Sequence, residues 1–192
     1  MRRKPGDELT RIILPAIDGT EFDTERLKGR PFMLSFFRFA GCPFCNMRIH
    51  KLVKRFAEFG EGFTIVAIFD SPIDNLVFHT RGHKAPFPIL ADEDNRYYRE
   101  YGIEHSIGGM LKGMVYRMPT LVGAMGRGYV PTTIKGSMTT MPADFLVDRN
   151  GVIQAAHYGG DEGDHLSIEE IKDFSLKEEL PEERLVSRGA GL

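Results

Sequence analysis

Short apolar runs alternate with segments of helical periodicity along most of this chain. Residues 31–39 (PFMLSFFRF) and 63–69 (FTIVAIF) are short and almost wholly apolar, which is typical of strands buried on both faces. Between them, after position 42, apolar residues recur at helical spacing as far as Phe59, and Gly60 ends the pattern. A helix between two such strands predicts a parallel pair joined by a right-handed crossover.

Weaker signals extend this pattern on both sides. Residues 12–22, with an Asp18-Gly19 turn, and residues 143–158, with a turn at 149–151, are typical of hairpins. A further short strand is predicted at residues 87–90. Three helix starts are predicted from capping residues, at Ser71-Pro72, at Asp92, and at Ser167 with Glu170. The pattern predicts an α/β fold with a central mixed sheet flanked by helices and an N-terminal hairpin.

The chain is interpreted as a single domain over residues 1–192, with a core at about 6–174. Within it, residues 104–141 form a less regular insert that holds six of the nine methionines. Apolar residues from Ile107 to Met118 lie mostly three or four apart and predict a helix, followed by a flexible loop at Gly123, Gly126 and Gly128. The residues from 175 to 192 are charge-rich and predict a mobile or lightly docked tail.

Two interpretations of the Met-rich insert are open. Its apolar stripe is expected to pack on the core or on a second copy of the chain, so a homodimer is one expectation. A substrate- or partner-binding surface is the alternative, because Met-rich surfaces adapt to varied partners.

Charge and composition exclude several classes of protein. The chain has 192 residues, with 25 basic and 27 acidic ones, and the formal charge of −2 argues against a nucleic-acid clamp or a basic membrane anchor. No apolar run approaches the ~20 residues of a membrane-spanning helix, and the start MRRKPGDELT lacks the apolar stretch of a signal peptide. We therefore expect a cytoplasmic protein, where a cysteine pair is reactive more often than structural.

The two cysteines of the chain both fall within Cys42-Pro43-Phe44-Cys45. The predicted strand, turn and helix put Cys42 at a helix N-terminus, where unpaired N–H groups and the helix dipole favour a thiolate. Pro43 suits the first turn, and Cys45 lies on the same helix face, within reach of Cys42. Cys42 is therefore predicted to be the attacking thiol and Cys45 the resolving thiol. Half of a zinc site and two inert core thiols are the alternatives, although no further cysteine pair or His-x-His supplies zinc ligands.

The order of elements around this motif resembles a thioredoxin fold, and several segments resemble the alkyl hydroperoxide reductase/thiol-specific antioxidant family of peroxiredoxin-like proteins. The resemblance is closest to the subgroup that carries C-x-x-C, and it spans residues 6–173 except for the insert. The segments that carry it are GDELTRIILPAIDGTEFDTERLKGRPFMLSFFRFAGCPFC, FPILADEDNRYYREYGI and PADFLVDRNGVI. It implies a thiol oxidoreductase without a cofactor, with a peroxide or disulfide substrate and a thioredoxin-like or low-molecular-weight thiol reductant.

The chain departs from the peroxiredoxin motif P-x-x-x-T-x-x-C at three places. Ser35 stands at the position of the family's Pro, Phe39 at that of its Thr, and Pro142 where the family usually has an Arg. A proline at position 142 resembles the cis-proline that lies against the dithiol in thioredoxins. These departures weaken the expectation of rapid peroxide reduction and leave thiol–disulfide exchange intact.

Arg38, four residues before Cys42, is a candidate for stabilising the thiolate or for facing solvent. Strand alternation would put it on the same face as Leu34 and Phe36. The chain is predicted to be an enzyme that cycles Cys42 and Cys45 between dithiol and disulfide. The alternatives are a redox-sensing or partner-binding module and a structural domain with a vestigial or metal-bound C-x-x-C.

Overall fold

A computed structural model describes residues 1–129 and 135–179, apart from the side chains at positions 110 and 113–115. The strands are β1 (Ile13–Pro15), β2 (Glu21–Asp23), β3 (Phe32–Phe36), β4 (Thr64–Phe69), β5 (Ile89–Ala91), β6 (Ala143–Val147) and β7 (Ile153–Tyr158). The helices are α1 (Pro43–Arg55), α2 (Ile73–Thr80), α3 (Arg96–Glu100), α4 (Ile107–Tyr116), α5 (Met118–Gly126) and α6 (Ile168–Glu179).

A five-stranded mixed sheet in the order β5-β4-β3-β6-β7 forms the centre of the fold. β3 pairs in parallel with β4 and antiparallel with β6, so the predicted parallel crossover through α1 is confirmed. Both predicted hairpins are also present, β1–β2 as a separate ribbon and β6–β7 at the edge of the sheet. The thioredoxin-like fold predicted from the order of elements is therefore confirmed.

Alternation along β3 divides the core between the two faces of the sheet. Met33 packs in one cluster with Ile49 of α1 and Ile65 of β4, and this cluster also contains both cysteines. Leu34 and Phe36 point to the other face, where they pack with aromatic residues such as Tyr101. Every residue of β3 is buried, as the apolar run predicts. Helices α1, α2 and α6 cover one face of the sheet, and α3 with the N-terminal hairpin covers the other.

Two local predictions are corrected by the structure. The strand predicted at residues 31–39 ends at Phe36, and the next residues turn toward the start of α1. Ser71 does not cap α2, since the residue before that helix is Pro72. The Ser71 hydroxyl instead accepts from the Ala40 N–H at 2.8 Å and donates to the Lys135 carbonyl at 2.7 Å.

Of the other two predicted helix starts, the one at Ser167 is confirmed, whereas the helix predicted from Asp92 begins later, at Arg96 after Asn95. The Asp92 carboxylate accepts from the N–H groups of Arg96 and Tyr97 at 3.0 and 2.8 Å, at the beginning of α3. Ser167 and Glu170 form the capping box of α6: the Ser167 N–H donates to Glu170 at 2.7 Å and the Glu170 N–H donates to the Ser167 hydroxyl at 3.1 Å. Such reciprocal bonds satisfy donors that a helix start leaves unpaired.

The insert and the tail differ from their predicted structure. Two helices, α4 and α5, replace the single helix and loop, and Gly123 and Gly126 lie within α5. Of the predicted stripe, the described side chains of Ile107, Leu111 and Met118 are about half or more exposed, so these residues do not pack on the core. The side chains of the stripe at 110, 114 and 115 lie outside those described.

The predicted tail is wrong for residues 175–179. α6 continues to Glu179, and Ser175 is buried. Phe174 anchors this last turn against Phe63, with their ring centroids 6.3 Å apart. Residues 180–192, the rest of the predicted tail, lie outside the described part of the chain. Within the described ranges, no helix has both the length and the apolar character needed to cross a membrane.

Candidate active site at the start of helix α1

The chain between β3 and α1 brings Cys42 to the beginning of the helix. The Phe37 N–H still donates to the Ile68 carbonyl at 2.7 Å, which holds the end of β3 against β4. The Cys42 N–H then donates to the Phe39 carbonyl at 3.0 Å, which closes the turn. Cys42 is the residue before the first helical turn, and Pro43 occupies that turn, where its missing N–H costs no hydrogen bond.

The two thiols lie against each other inside the protein. Cys42 and Cys45 are both free and fully buried, one turn of α1 apart. Burial raises the pKa of Cys42, but a hydrogen bond from the Cys45 thiol, the charge of Arg38, and the N–H groups of Cys45 and Phe44 together lower this pKa to about 7. Cys42 can therefore be a thiolate near neutral pH despite its burial.

Cys45 differs from Cys42 in its electrostatics. Burial raises the pKa of Cys45 well above its ordinary value, and its hydrogen bond to Cys42 and the negative charge there raise this pKa further. The first proton to leave the pair therefore comes from Cys42, while Cys45 keeps its proton and donates it in a hydrogen bond to the thiolate. This asymmetry agrees with the predicted roles of attacking and resolving thiol.

Arg38 lies next to Cys42 and is buried. Its Nη1 is 3.7 Å from the Cys42 sulfur, and its side chain is only 4% exposed. The alternative of a solvent-facing Arg38 is thus wrong. Strand alternation also fails here, since Cys42 lies in the cluster on the face opposite to Leu34 and Phe36. The reason is that β3 ends at Phe36, so the period of two no longer applies at position 38.

A buried carboxylate shares this guanidinium. Glu162 Oε1 lies 3.8 Å from Arg38 Nη1, and its side chain is 2% exposed. Burial raises the pKa of Glu162, against the lowering effect of the Arg38 charge. Oε2 of Glu162 has no hydrogen-bond partner among the residues that the structure describes. Glu162 could not be predicted as a site residue from the sequence, because its surroundings (GGDEGDH) are typical of an exposed turn.

A segment of the insert covers the site. We call residues 135–141 the strap. Its Met138 carbonyl accepts a hydrogen bond from the Arg38 guanidinium, and its Lys135 carbonyl accepts from Ser71. The Asp70 carboxylate accepts from the Ser137 N–H and from the Thr140 hydroxyl, each at 3.0 Å. Because these contacts close over the loop that precedes Cys42, a substrate reaches the sulfur only when the strap moves or the start of α1 opens.

Gly136 fits the strap in a conformation that other residues rarely adopt. Its φ is +117°, and a Cβ at this position would lie 1.9 Å from the Asp70 carbonyl and 3.0 Å from Cβ of Phe39. Only the lack of a side chain allows the strap to approach the 37–41 loop so closely.

The proline predicted to lie cis against the dithiol is in a trans peptide. Between residues 1–129 and 135–179 the structure has no cis peptide bond, so the expected cis-proline geometry of Pro142 is corrected. Pro142 immediately precedes β6, where its carbonyl accepts from the Gly159 N–H at 2.8 Å. A Cβ on Gly159 would lie 2.9 Å from the Pro142 ring, so the ring packs against the end of β7.

Ser35 belongs to a second buried polar cluster, which we call the Asp144 network. Its hydroxyl donates to Asp144 at 2.5 Å, and Asp144 also accepts from the Leu166 N–H at 2.9 Å. Asp144 lies 3.1 Å from His165 Nδ1 and 3.8 Å from Arg48 Nη2. Burial raises the pKa of Asp144, but His165, Arg48 and Ser35 lower it well below its usual range. A carboxylate inside the apolar strand ADFLV is the signal that could have revealed this network.

Two further findings concern the family's threonine position and the zinc-site alternative. Phe39 is buried and brings no hydroxyl to the position of the family's Thr, while the Arg38 guanidinium lies over its ring with its carbon 5.6 Å from the centroid. Across the described residues, no group of three or more His, Cys, Asp or Glu side chains is arranged to hold a metal ion.

A cysteine pair at the start of the helix that follows the central strand, in a sheet of this order, defines a thioredoxin-fold protein with a dithiol site. The family model "AhpC/TSA family" matches residues 5–156, so the chain belongs to the AhpC/TSA family, as its sequence segments predict.

Individual relatives agree with this membership. The chain is 26% identical over 98 residues to chloroplastic peroxiredoxin Q of Populus jackii, a match that covers 50% of this chain and 46% of that protein. It is 24% identical over 97 residues to chloroplastic peroxiredoxin Q of Sedum lineare, covering 50% of this chain and 52% of that protein. The matches thus span about half the length of these curated relatives.

Solved structures agree on the fold. Peroxidoxin BcpB from Mycobacterium tuberculosis superposes with a TM-score of 0.66 at 15% identity, over 92% of this chain and 98% of that one. A thiol:disulfide interchange protein of the thioredoxin family from Chlorobium tepidum gives a TM-score of 0.53 at 20% identity, over 92% and 99% of the two chains. At these identities the likeness establishes the thioredoxin-like fold.

Proposed function

We propose that this chain is a thiol-dependent oxidoreductase of the peroxiredoxin-like type, which reduces peroxides or disulfides through a Cys42/Cys45 dithiol–disulfide cycle. The observation that carries the proposal is the Cys42 thiol at the start of α1, 3.7 Å from the Arg38 guanidinium and hydrogen-bonded by Cys45. Membership of the AhpC/TSA family supports it. A purely structural C-x-x-C would not need a buried cation beside one sulfur.

With a hydroperoxide, the Cys42 thiolate attacks the terminal oxygen and the O–O bond breaks. The sulfur is oxidised to a sulfenic acid, and the leaving alkoxide takes up a proton. The Cys45 thiol then attacks the Cys42 sulfur, water leaves, and an internal disulfide forms. With a disulfide substrate, Cys42 attacks one sulfur and releases the other as a thiol, and Cys45 then displaces the bound half to give the same internal disulfide.

The choice between the two oxidants rests on the groups around Cys42. A peroxide pocket of the family uses a threonine hydroxyl and an arginine, and here Phe39 takes the first position while Arg38 supplies a guanidinium from the adjacent residue. Peroxide turnover is therefore expected to be slower than disulfide exchange. Pro142 is in a trans peptide and so lacks one feature of the thioredoxin-type disulfide site. The rates of oxidation by a peroxide and by a disulfide therefore need direct comparison.

The remaining partners follow from the same cycle. A thioredoxin-like protein or a low-molecular-weight thiol is the proposed reductant, in a reducing compartment such as the cytoplasm. A homodimer through α4 and α5 remains a proposal, supported by exposed apolar side chains such as Leu111 and Val122.

Cysteine substitution tests the assignment. We expect Cys42→Ser to abolish turnover with both oxidants, since it removes the nucleophile. Cys45→Ser, the matched control at the second sulfur, should be oxidised once and then accumulate a sulfenic acid or a mixed disulfide, visible as a mass increase. Full activity of Cys42→Ser would disprove the proposal.

Stopped-flow mixing of the reduced protein with hydrogen peroxide, an alkyl hydroperoxide and a model disulfide separates the oxidants. Faster oxidation by the disulfide is the expected order. Faster oxidation by a peroxide would make the protein a peroxidase first, and no oxidation by any of the three would favour the sensing or structural alternatives.

A further inference from the structure

A cavity of about 350 Å³ opens beside the loop that leads into Cys42. We call it the basic groove. Gly41 and Asn46 form its inner wall, Phe78 and Tyr129 are aromatic walls, and Arg81 and Arg127 complete the lining. None of the groups in the described lining of this groove is acidic, so the groove offers a positive potential next to the dithiol.

Both arginines are available to a ligand. Arg81 and Arg127 are exposed, and neither forms an ion pair with a carboxylate in residues 1–129 and 135–179. Arg127 Nη1 donates only to the Gly123 carbonyl of its own helix, at 3.0 Å, and the guanidinium carbon of Arg81 lies 5.6 Å from the Phe78 ring centroid. Burial lowers the pKa of the neighbouring His79, so the arginines supply the charge.

The groove is connected to the dithiol through Asn46. The Asn46 amide nitrogen donates to the carbonyls of Ala40 and Cys42, at 2.8 and 2.9 Å, on either side of Gly41. Its Oδ1 lies 2.7 Å from Nε2 of His83, whose ring packs on Tyr129 with centroids 5.3 Å apart. A ligand against this wall thus touches the residues that hold the Cys42 turn in shape.

We propose that the basic groove binds a low-molecular-weight thiol that carries carboxylates, as the reductant of the Cys42–Cys45 disulfide. The inference rests on the proposed function and names the chemical class of its reductant. Guanidinium groups bind carboxylates through paired, charge-assisted hydrogen bonds, and two of them suit a thiol with two carboxylates better than a neutral thiol. The aromatic walls, Phe78 and Tyr129, can cover the ligand's backbone.

The thiol exchange balances as two nucleophilic displacements. The bound thiolate attacks the Cys42 sulfur, the Cys42–Cys45 bond breaks, and Cys45 leaves and takes up a proton. A second thiol then attacks the ligand sulfur of the mixed disulfide, and Cys42 leaves as a thiolate. Two thiols are oxidised to one small disulfide, and the protein disulfide is reduced to the dithiol. Since both protein sulfurs are buried, the start of α1 must open toward the groove during the first displacement.

Ligand binding can be measured without turnover. The probe is S-methylglutathione, which carries two carboxylates and no free thiol, titrated into the reduced protein by calorimetry. We expect Arg81→Ala and Arg127→Ala each to weaken binding about tenfold or more, the loss of one charge-assisted contact. Arg26→Ala, an exposed arginine outside the groove, should bind like wild type.

Turnover gives the second readout. The KM for glutathione should rise about tenfold in both groove variants, while the KM for 2-mercaptoethanol and the rate of oxidation by peroxide or disulfide stay unchanged. Equal affinity of wild type and both groove variants for S-methylglutathione would overturn the inference, as would equal KM values for glutathione and its diethyl ester. Failure of the dithiol to be oxidised would instead contradict the proposed function, because oxidation is measured before any thiol is added.

Discussion

Three groups lower the pKa of Cys42: the hydrogen bond from Cys45, the charge of the buried Arg38, and N–H groups at the start of α1. The Arg38 guanidinium lies 3.7 Å from the Cys42 sulfur and 3.8 Å from Glu162, and both partners are almost fully buried. In such surroundings an unpaired charge is costly, so ionisation of the sulfur depends on the arginine beside it. The site therefore combines two residues that are four positions apart, Arg38 and Cys42, with Glu162 from a distant segment.

Removal of this cation should shift the titration of Cys42. We expect Arg38→Met to raise the Cys42 pKa from about 7 toward its ordinary value, so that the thiolate fraction at pH 7 falls several-fold. In wild type, the thiolate absorbance at 240 nm should rise as the pH increases through about 7, and this midpoint should move upward in the variant. Arg38→Lys keeps a positive charge beside the sulfur, so its Cys42 pKa should lie between those of wild type and Arg38→Met.

Arg48→Met is the matched control, because Arg48 is a largely buried arginine in the first half of α1 that lies 3.8 Å from Asp144. It should lower stability and leave the midpoint near 7. An unchanged midpoint in Arg38→Met would refute the role given to this arginine.

At the scale of elements, the strap lies over the loop that precedes Cys42, and we expect it to limit access to the sulfur. Residues 135–141 are fixed by Asp70, Ser71 and Arg38, which follow β4 and β3 at the same end of the sheet. Hydrogen bonds to three different side chains hold this short segment in one position over the loop that precedes Cys42. Since the strap belongs to the Met-rich insert, the insert contributes to the site directly.

A side chain at Gly136 should open the strap. In Gly136→Ala the Cβ would lie 1.9 Å from the Asp70 carbonyl and 3.0 Å from Cβ of Phe39, so the strap must move away from both Asp70 and the 37–41 loop. We expect a loss of about 1–3 kcal/mol in the free energy of unfolding and at least a tenfold faster reaction of Cys42 with iodoacetamide.

The control for this variant is Gly151→Ala. Gly151 also has a positive φ, of +80°, but a Cβ there would meet no atom within 4 Å. It should cost about 1 kcal/mol and leave the alkylation rate unchanged. Equal alkylation rates in Gly136→Ala and wild type would mean that the strap does not limit access.

For the whole molecule, the Asp144 network joins elements distant in sequence. One carboxylate in β6 holds β3 through Ser35, α1 through Arg48, and the approach to α6 through His165 and Leu166. These are the elements that position the dithiol. Loss of one charged member leaves the others buried without a counter-charge, which is far more costly than loss of a surface ion pair.

Asp144→Asn should destabilise the protein by about 3–5 kcal/mol near pH 7, measured by urea unfolding. The depressed pKa of Asp144 means that its stabilising effect is complete above about pH 4, the ordinary value in the unfolded chain, and is lost as the pH falls toward the folded pKa. The difference between wild type and variant should therefore shrink in acid.

Asp164→Asn provides the comparison, since Asp164 pairs with His157 at 3.0 Å in a partly exposed position. It should cost about 1 kcal/mol or less. A similar small effect for Asp144→Asn would show that the network does not hold these elements together.

Several features that neighbouring residues decide could be predicted from the sequence. The parallel β3–β4 pair, both hairpins, the Ser167 capping box and the position of Cys42 at a helix start all follow from local periodicity or capping chemistry. Features for which a distant group competes could not be predicted: Ser71 bonds Ala40 and the strap instead of capping α2, and Arg38 leaves the face that alternation assigns to it.

The sequence by itself determined the thioredoxin-like core and the presence of a paired thiol at a helix start, because apolar periodicity and helix-end electrostatics act over a few residues. The tertiary structure alone decided which charges surround that thiol. Glu162, the strap and the two arginines of the basic groove lie 36 to 120 residues from the cysteines along the chain. Only the folded structure brings them near the start of α1. The local sequence therefore specifies the nucleophile, whereas contacts between distant segments decide its burial and surroundings.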